Sequence, residues 1–166
     1  MAEIARQCGI SHTGLLHHFP RKEDLLTAVL ELQDRRGERY LRENGTLSPG
    51  SDPLVILHGL IATLVERDNH TGLVELSATL VGEATTQGHS AHGYFAGRYR
   101  DIRSFLTRLF QALSDANRLT SELSPSHLAA LTIAATDGLN IQWLYARDEI
   151  DVNAIVKGFL ATIVKG

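Results

Sequence analysis

The sequence predicts an all-α protein, and three observations carry that prediction. Strand signals are almost absent, since no stretch alternates apolar and polar residues between hairpin turns. Apolar residues instead recur at three- and four-residue spacing along nearly the whole chain. Good helix starters, Ser11, Asp52, Ser90, Ser124-Pro125 and Asp151, stand at the heads of those runs. With 166 residues, 43% of them hydrophobic, the chain is long enough for a small module joined to a mid-sized helical body with a real core.

Ala2 to Gln7 reads as a short helix broken at Gly9, and Ser11 caps a second short helix reaching about His18. Pro20 stands where a helix start tolerates it. The third helix then runs to about Arg42, with Leu25, Leu26, Val29 and Leu32 on one face and Asn44-Gly45 as its stop. "TLSPGSDP", Thr46 to Pro53, is a linker by composition. It divides a module of residues 1–45 from a body of residues 46–166. In the body, Asp52 with Pro53 opens a helix carrying Leu54, Leu57, Leu60, Ile61 and Leu64, which "RDNHTG" closes. A helix from about Leu73 to Ala84 follows, and Ser90 caps a long one reaching about Ala116. Ser124-Pro125 and Asp151 open the last two. No internal repeat or low-complexity tract interrupts them.

A formal net charge of −3 excludes a bulk polyanion binder. Charge is uneven, however: residues 1–22 carry Arg6, Arg21 and Lys22 against Glu3 alone, with His12, His17 and His18 close by. A positive end on a mildly acidic body suits docking on phosphate. The single cysteine, Cys8, excludes an internal disulfide framework and a Cys-rich zinc site, and favours a reducing compartment. No apolar run approaches the roughly 20 residues of a membrane span, and the N-terminus lacks a basic-then-apolar leader pattern. A soluble, cytoplasmic protein without a membrane partner is expected.

Ala2 to Phe19 follows the grammar of a helix-turn-helix. Ile4 and Ala5 face inward, Gly9 supplies the positive φ of the turn, Ile10 plugs the core and Ser11 starts the second helix. Ser11, His12, Thr13 and Gly14 are small or polar, as the base-facing end of a recognition helix requires. Leu15 and Phe19, four apart, pack inward, leaving His17 and His18 to reach phosphates. Lys22 lies in the first turn of the next helix, where a lysine and backbone N–H groups together attract an anion.

The segment "IARQCGISHTGLLHHFPRKEDLLTAVL" resembles the DNA-binding signature of TetR-like (tetracycline-repressor-like) transcriptional regulators. Ile4-Ala5, Gly9-Ile10-Ser11, His18-Phe19, Lys22 and Leu25 carry the resemblance. It implies an N-terminal helix-turn-helix, a helical ligand-binding and dimerisation body, a double-stranded DNA operator, a small-molecule effector and no cofactor. Ser11, His12, Thr13 and His17 resemble contacts to bases or backbone, with His18 beside them, and Lys22 resembles the lysine that grips phosphate. Leu16 stands where the family often has tyrosine; leucine cannot hydrogen-bond a phosphate, so a methyl contact or packing is its expected role. The family also has a helix ahead of Ile4-Ala5 that closes the module's small core. The sequence begins inside the expected second helix, so the natural gene product is expected to be longer.

The last two helices are apolar on more than one side. Leu128, Leu131, Ala135, Leu139 and Trp143 make one stripe, Ile133, Ile141 and Leu144 another, and Val152, Ile155, Val156, Phe159, Leu160 and Ile163 a third. Such helices need more than one partner, and pairing with their symmetry mates gives a homodimer through the last two helices. An effector pocket is expected among the helices from Pro53 to Ala116. Leu57, Ile61, Leu64, Leu76, Leu80, Phe95 and Trp143 are its lining candidates, and Glu75, Thr79, Glu83, Arg98, Asp137, Asn140 and Gln142 its polar ones. His89 and His92 lack a secure third metal ligand and read as a solvated pair at a helix start. No catalytic constellation appears: Cys8 occupies the turn of the motif, where a small buried residue fits, and neither a phosphate-cradling glycine loop nor a serine elbow is present. The implied activity is ligand-responsive repression at a palindromic operator. The competing reading is a dimeric small-molecule or protein-binding module whose DNA-binding part no longer functions.

Overall fold

The computed structural model describes residues 1–65 and 71–165. Ser11 Oγ accepts the Gly14 N–H at 2.9 Å and opens α2 (His12–His18). Ser124 Oγ accepts the His127 N–H at 3.3 Å ahead of α7 (Pro125–Tyr145). Asp151 Oδ1 accepts the Ala154 N–H at 2.9 Å ahead of α8 (Val152–Ile163). Asp52 does the same for the Leu54 N–H at 2.8 Å before α4 (Pro53–Val65). Each cap satisfies a backbone donor that the helix itself cannot. The Leu54 amide, then Arg118 at 2.8 Å, hold the Asp52 carboxyl below its ordinary 3.8. With α1 (Ala2–Gln7), α3 (Lys22–Glu43), α5 (Thr71–Glu83) and α6 (His92–Asp115), the described residues form eight helices and no strand. The Leu64 side chain, and residues 67–70 of the closing "RDNHTG" segment, lie outside the described residues.

Two helix starts differ from expectation. α3 begins at Lys22, not Pro20, because the Asp24 carboxylate accepts the Arg21 backbone N–H at 3.1 Å and fixes the first turn there. α6 begins at His92, two residues after Ser90. The histidine pair also does more than sit in solvent. His89 Nδ1 accepts the Ala91 N–H at 3.2 Å, and His92 Nδ1 donates to the Ala84 carbonyl at 2.8 Å, fastening the end of α5 to the start of α6.

The main core lies among α4, α6, α7 and α8. Leu57, Ile61, Leu106, Phe110, Leu113, Leu128, Val156 and Leu160 are all at most 1% exposed. A second cluster joins Leu30 of α3 to Leu80 and Ala84 at the end of α5 and to Ala91 and Phe95 at the start of α6. On α3 the buried residues are Leu30 and Leu41; Leu25, Leu26 and Val29 are half-buried, and Leu32 is 41% exposed. A single apolar stripe was the wrong expectation there, because α3 crosses the body at two separated points. Leu30 docks on α5 and α6, and Leu41 docks on α4 where Gly59 lets it approach.

A Cβ on Gly59 would stand 2.6 Å from Thr46 Cγ2 and 3.2 Å from Leu41 Cδ2. Alanine usually gains up to about 1 kcal/mol over glycine inside a helix, whereas overpacking costs about 1–3 kcal/mol. Thr46 is short and Leu41 is buried, so neither yields freely. Gly59→Ala is therefore expected to lower stability by a net ~1–2 kcal/mol in urea denaturation; a more stable variant would mean that α3 and α4 do not meet closely here.

The inward face of α7 also departs from the predicted stripe. Thr132 and Thr136 are buried beside Leu128 and Ala129, whereas Leu131, Ile141 and Tyr145 are exposed. Both hydroxyls donate to the carbonyl four residues back, Thr132 to Leu128 at 2.8 Å and Thr136 to Thr132 at 2.9 Å. Satisfied in this way, a threonine enters a core at little cost. Leu131 and Ile141 then fall on the outward side.

Candidate nucleic-acid interface and effector cavity

Gly9 has φ +67°, as the turn between α1 and α2 requires of a residue without Cβ. The two short helices meet through Ala5 and Leu15, which are 1% and 5% exposed, with Ile4 and Phe19 half-buried around them. Two elements of six and seven residues can cover only the positions between them. Ile10 is accordingly 48% exposed rather than a core plug, and Cys8 is exposed rather than buried.

The opposite side of α2 presents His12, Thr13, Leu16 and His17, all exposed and grouped by helical spacing. Ser11 is also exposed, but its hydroxyl is committed to the cap. His18 projects on another side, its ring edge-on to that of His17 at 5.4 Å. Of the three Arg and Lys side chains in residues 1–22, Arg6 is held by Glu3 and Arg21 by Asp24. Lys22, the third, makes no ion pair among the described residues, and it is exposed at the first turn of α3. The arrangement is a small polar helix face flanked by one unengaged ammonium.

The second feature is a half-open cavity of about 860 Å³ beneath the C-terminal half of α3, between that helix, α4 and α6. Leu41, Leu60, Ile102 and Phe105 supply its apolar wall. Its polar wall centres on Asp34 of α3. The Tyr94 hydroxyl donates to Asp34 Oδ2 at 2.7 Å, and Arg98 Nε lies 3.0 and 3.2 Å from the two carboxylate oxygens. The Arg98 side chain is only 11% exposed. Burial is the largest single influence and pulls its pKa down, but the charge and hydrogen bond of Asp34, with the charges of Tyr94 and Asp137, together outweigh it and hold the pKa above the ordinary arginine value. On the far side of α6, the Tyr99 hydroxyl donates to Asp137 of α7 at 2.7 Å.

The effector residues expected from sequence do not gather in this cavity. Leu57 and Ile61 are in the main core, Phe95 is in the second cluster with Leu76 against it, and Thr79 is exposed. Trp143 packs on the main core under the Arg147 guanidinium, 5.2 Å from its ring centre. Asn140 borders a separate crevice of about 30 Å³ between α5 and α7. Of the polar candidates only Arg98 lines the larger cavity. Sequence reasoning overlooked Asp34, Tyr94, Ile102 and Phe105. The available signal was Tyr94 and Arg98, four apart on a long helix and flanked by apolar residues at Phe95, Ile102 and Phe105.

A helix-turn-helix leading through one long helix into an α-helical body with a cavity beneath that helix defines a DNA-binding transcriptional regulator with an effector domain. The chain belongs to the TetR family. Residues 1–29 match the family model "Bacterial regulatory proteins, tetR family", and residues 56–165 match "BetI-type transcriptional repressor, C-terminal". The chain is similar to the HTH-type transcriptional regulator AcrR of Shigella flexneri, 23% identical, with the match covering 99% of this chain and 78% of AcrR. A TetR-family regulator from Agrobacterium tumefaciens shares the fold with a TM-score of 0.77 at 23% identity, covering 98% of this chain and 85% of that one. The protein of a SmeT–triclosan complex does so with a TM-score of 0.66 at 18% identity, covering 98% and 80%.

Proposed function

We propose that this regulator is a cytoplasmic, ligand-responsive repressor that binds a near-palindromic operator as a homodimer and acts by binding, without catalysis. In this reading α2 enters the major groove and His12, Thr13, Leu16 and His17 meet base edges or backbone. Ser11 and His18 flank them, and Lys22 holds a phosphate. The observation that carries the reading is the exposed polar face of α2 beside Lys22, which makes no ion pair among the described residues. The exposed apolar residues Leu131, Ile141 and Tyr145 of α7 and Ile155 of α8 support a dimer face on the last two helices. C2 pairing there would set two recognition helices about 34–36 Å apart, one turn of DNA. The effector site is the cavity under α3; the triclosan in the SmeT structure is an example of a small ligand on this fold. An effector that favours a geometry with badly spaced recognition helices lowers operator affinity by linkage. No helix among the described residues is long and apolar enough to cross a membrane.

The assignment within α2 is tested by fluorescence anisotropy on duplex DNA. Lys22→Ala should weaken binding to every sequence alike and flatten the log–log salt slope by about 1, the share of one phosphate contact. Thr13→Ala should leave that slope alone and change which base pairs are preferred, at about 1–3 kcal/mol for the affected position. Unchanged affinity in Lys22→Ala would remove lysine from the interface.

A further inference from the structure

We infer that the cavity takes an amphipathic monocarboxylate, its carboxylate gripped by Arg98 and its apolar body lying against Leu60, Ile102 and Phe105, and that the Arg98–Asp34 pair relays its arrival to α3. This rests on the reading of the cavity as the effector site.

The argument begins with which charge is available. Three acids and three arginines line the cavity. Glu38 and Arg42 pair with each other, side chains 57% and 64% exposed, and Asp101 pairs with Arg100 at 74% exposure. Arg108 lies over the Phe105 ring and donates to Ser104. Asp34 already accepts from both Tyr94 and Arg98. Arg98 is the deepest of these charges, and part of its guanidinium is left uncommitted. Both Asp34 oxygens crowd onto its Nε, and no acceptor among the described residues meets its Nη1 and Nη2. A guanidinium ordinarily grips a carboxylate with two parallel N–H donors, and the Nη edge of Arg98 retains such a fork. One fork beside an apolar wall fits one planar carboxylate on an apolar body; a phosphate dianion would call for further unpaired cations. An ammonium headgroup would have to sit beside Arg98 and compete for carboxylates already engaged.

The position of the pair supplies the regulation. α3 is fastened at Leu30 on one side of Asp34 and at Leu41 on the other, with the cavity beneath the span between them. α3 also continues directly from the helix-turn-helix. A second carboxylate on Arg98 repels Asp34 and divides the guanidinium's attraction, so the ion pair holding the middle of α3 to α6 weakens.

The test uses the full chain, three ten-carbon probes (decanoate, decyltrimethylammonium and decanol), and a duplex that the protein selects from a random pool. Decanoate should bind saturably in calorimetry and release the duplex, with decanol at least about tenfold weaker, the weight of a charge-assisted hydrogen bond. Arg98→Gln should lose at least about tenfold for decanoate and leave decanol within about twofold. Because that change also removes the partner of Asp34, Arg98→Lys is the second variant. It keeps the charge without the fork, and should fold as the wild type does and bind decanoate at least about fivefold less. Asp34→Asn should still bind decanoate, yet the decanoate-induced change in duplex affinity should shrink at least about threefold. Decanoate no tighter than decanol, or undiminished in Arg98→Lys, overturns the carboxylate assignment, and undiminished coupling in Asp34→Asn overturns the relay. Release by decyltrimethylammonium alone overturns the headgroup and leaves the ligand-responsive reading standing. A chain that selects no duplex fails that reading instead, while the calorimetry still decides the ligand.

Discussion

Phe110→Ala is expected to cost about 3–5 kcal/mol, a large share of the ~5–15 kcal/mol that keeps a domain folded. Phe110 is 0% exposed at the centre of the main core, where α6 meets helices on both sides. Leu57, Leu106, Leu113 and Leu128 of the same buried cluster are themselves at most 1% exposed, so few of them can move into the space left by the ring. Lost transfer free energy and the residual cavity therefore add. Urea denaturation followed by circular dichroism should show an earlier midpoint at nearly unchanged slope. A loss below about 1 kcal/mol would mean that the ring is not enclosed as described.

Leu131→Glu should convert a dimer to a monomer and weaken operator binding by about 10²–10⁴-fold, the advantage of joining two half-site contacts in one molecule. In a symmetric interface the substitution occurs twice, and each carboxylate would lose water without gaining a partner. Leu131 is 46% exposed in the single chain, so the fold itself should survive. Val55→Glu, on α4 at 54% exposure, is the matched control and should remain dimeric. Sedimentation velocity reads the first effect and anisotropy on the selected duplex the second. A Leu131→Glu protein that sediments like the wild type would move the dimer face elsewhere.

Much of the fold was legible because local chemistry decided it. Ser11, Asp52, Ser124 and Asp151 cap where their side chains reach backbone donors a few residues ahead, and Gly9 turns where a Cβ would strain. The outward face of α2 followed from two inward residues, Leu15 on a helix only seven residues long and Phe19 at its C-cap. The cavity was not legible, because it depends on how α3 crosses the body. Leu41 against Gly59, and Asp34 against Tyr94 and Arg98 some sixty residues away, are long-range meetings that no local spacing encodes. Leu57, Ile61 and Phe95 were reasonable lining candidates by hydrophobicity, yet a large apolar residue in an amphipathic helix serves a packed core and a ligand wall equally well. On α7 the polar label of Thr132 and Thr136 concealed their inward position, since a hydroxyl satisfied by its own helix behaves as a core residue.

Recognition of specific DNA by α2 is tested most directly by measuring affinity against salt for two duplexes, one selected by the protein and a scrambled sequence of the same composition. Both affinities should fall as salt rises, because phosphate contacts release counterions, and the selected duplex should bind at least about 10³-fold tighter near physiological salt. Equal affinity for the two duplexes across the salt range would contradict sequence reading by the helix-turn-helix.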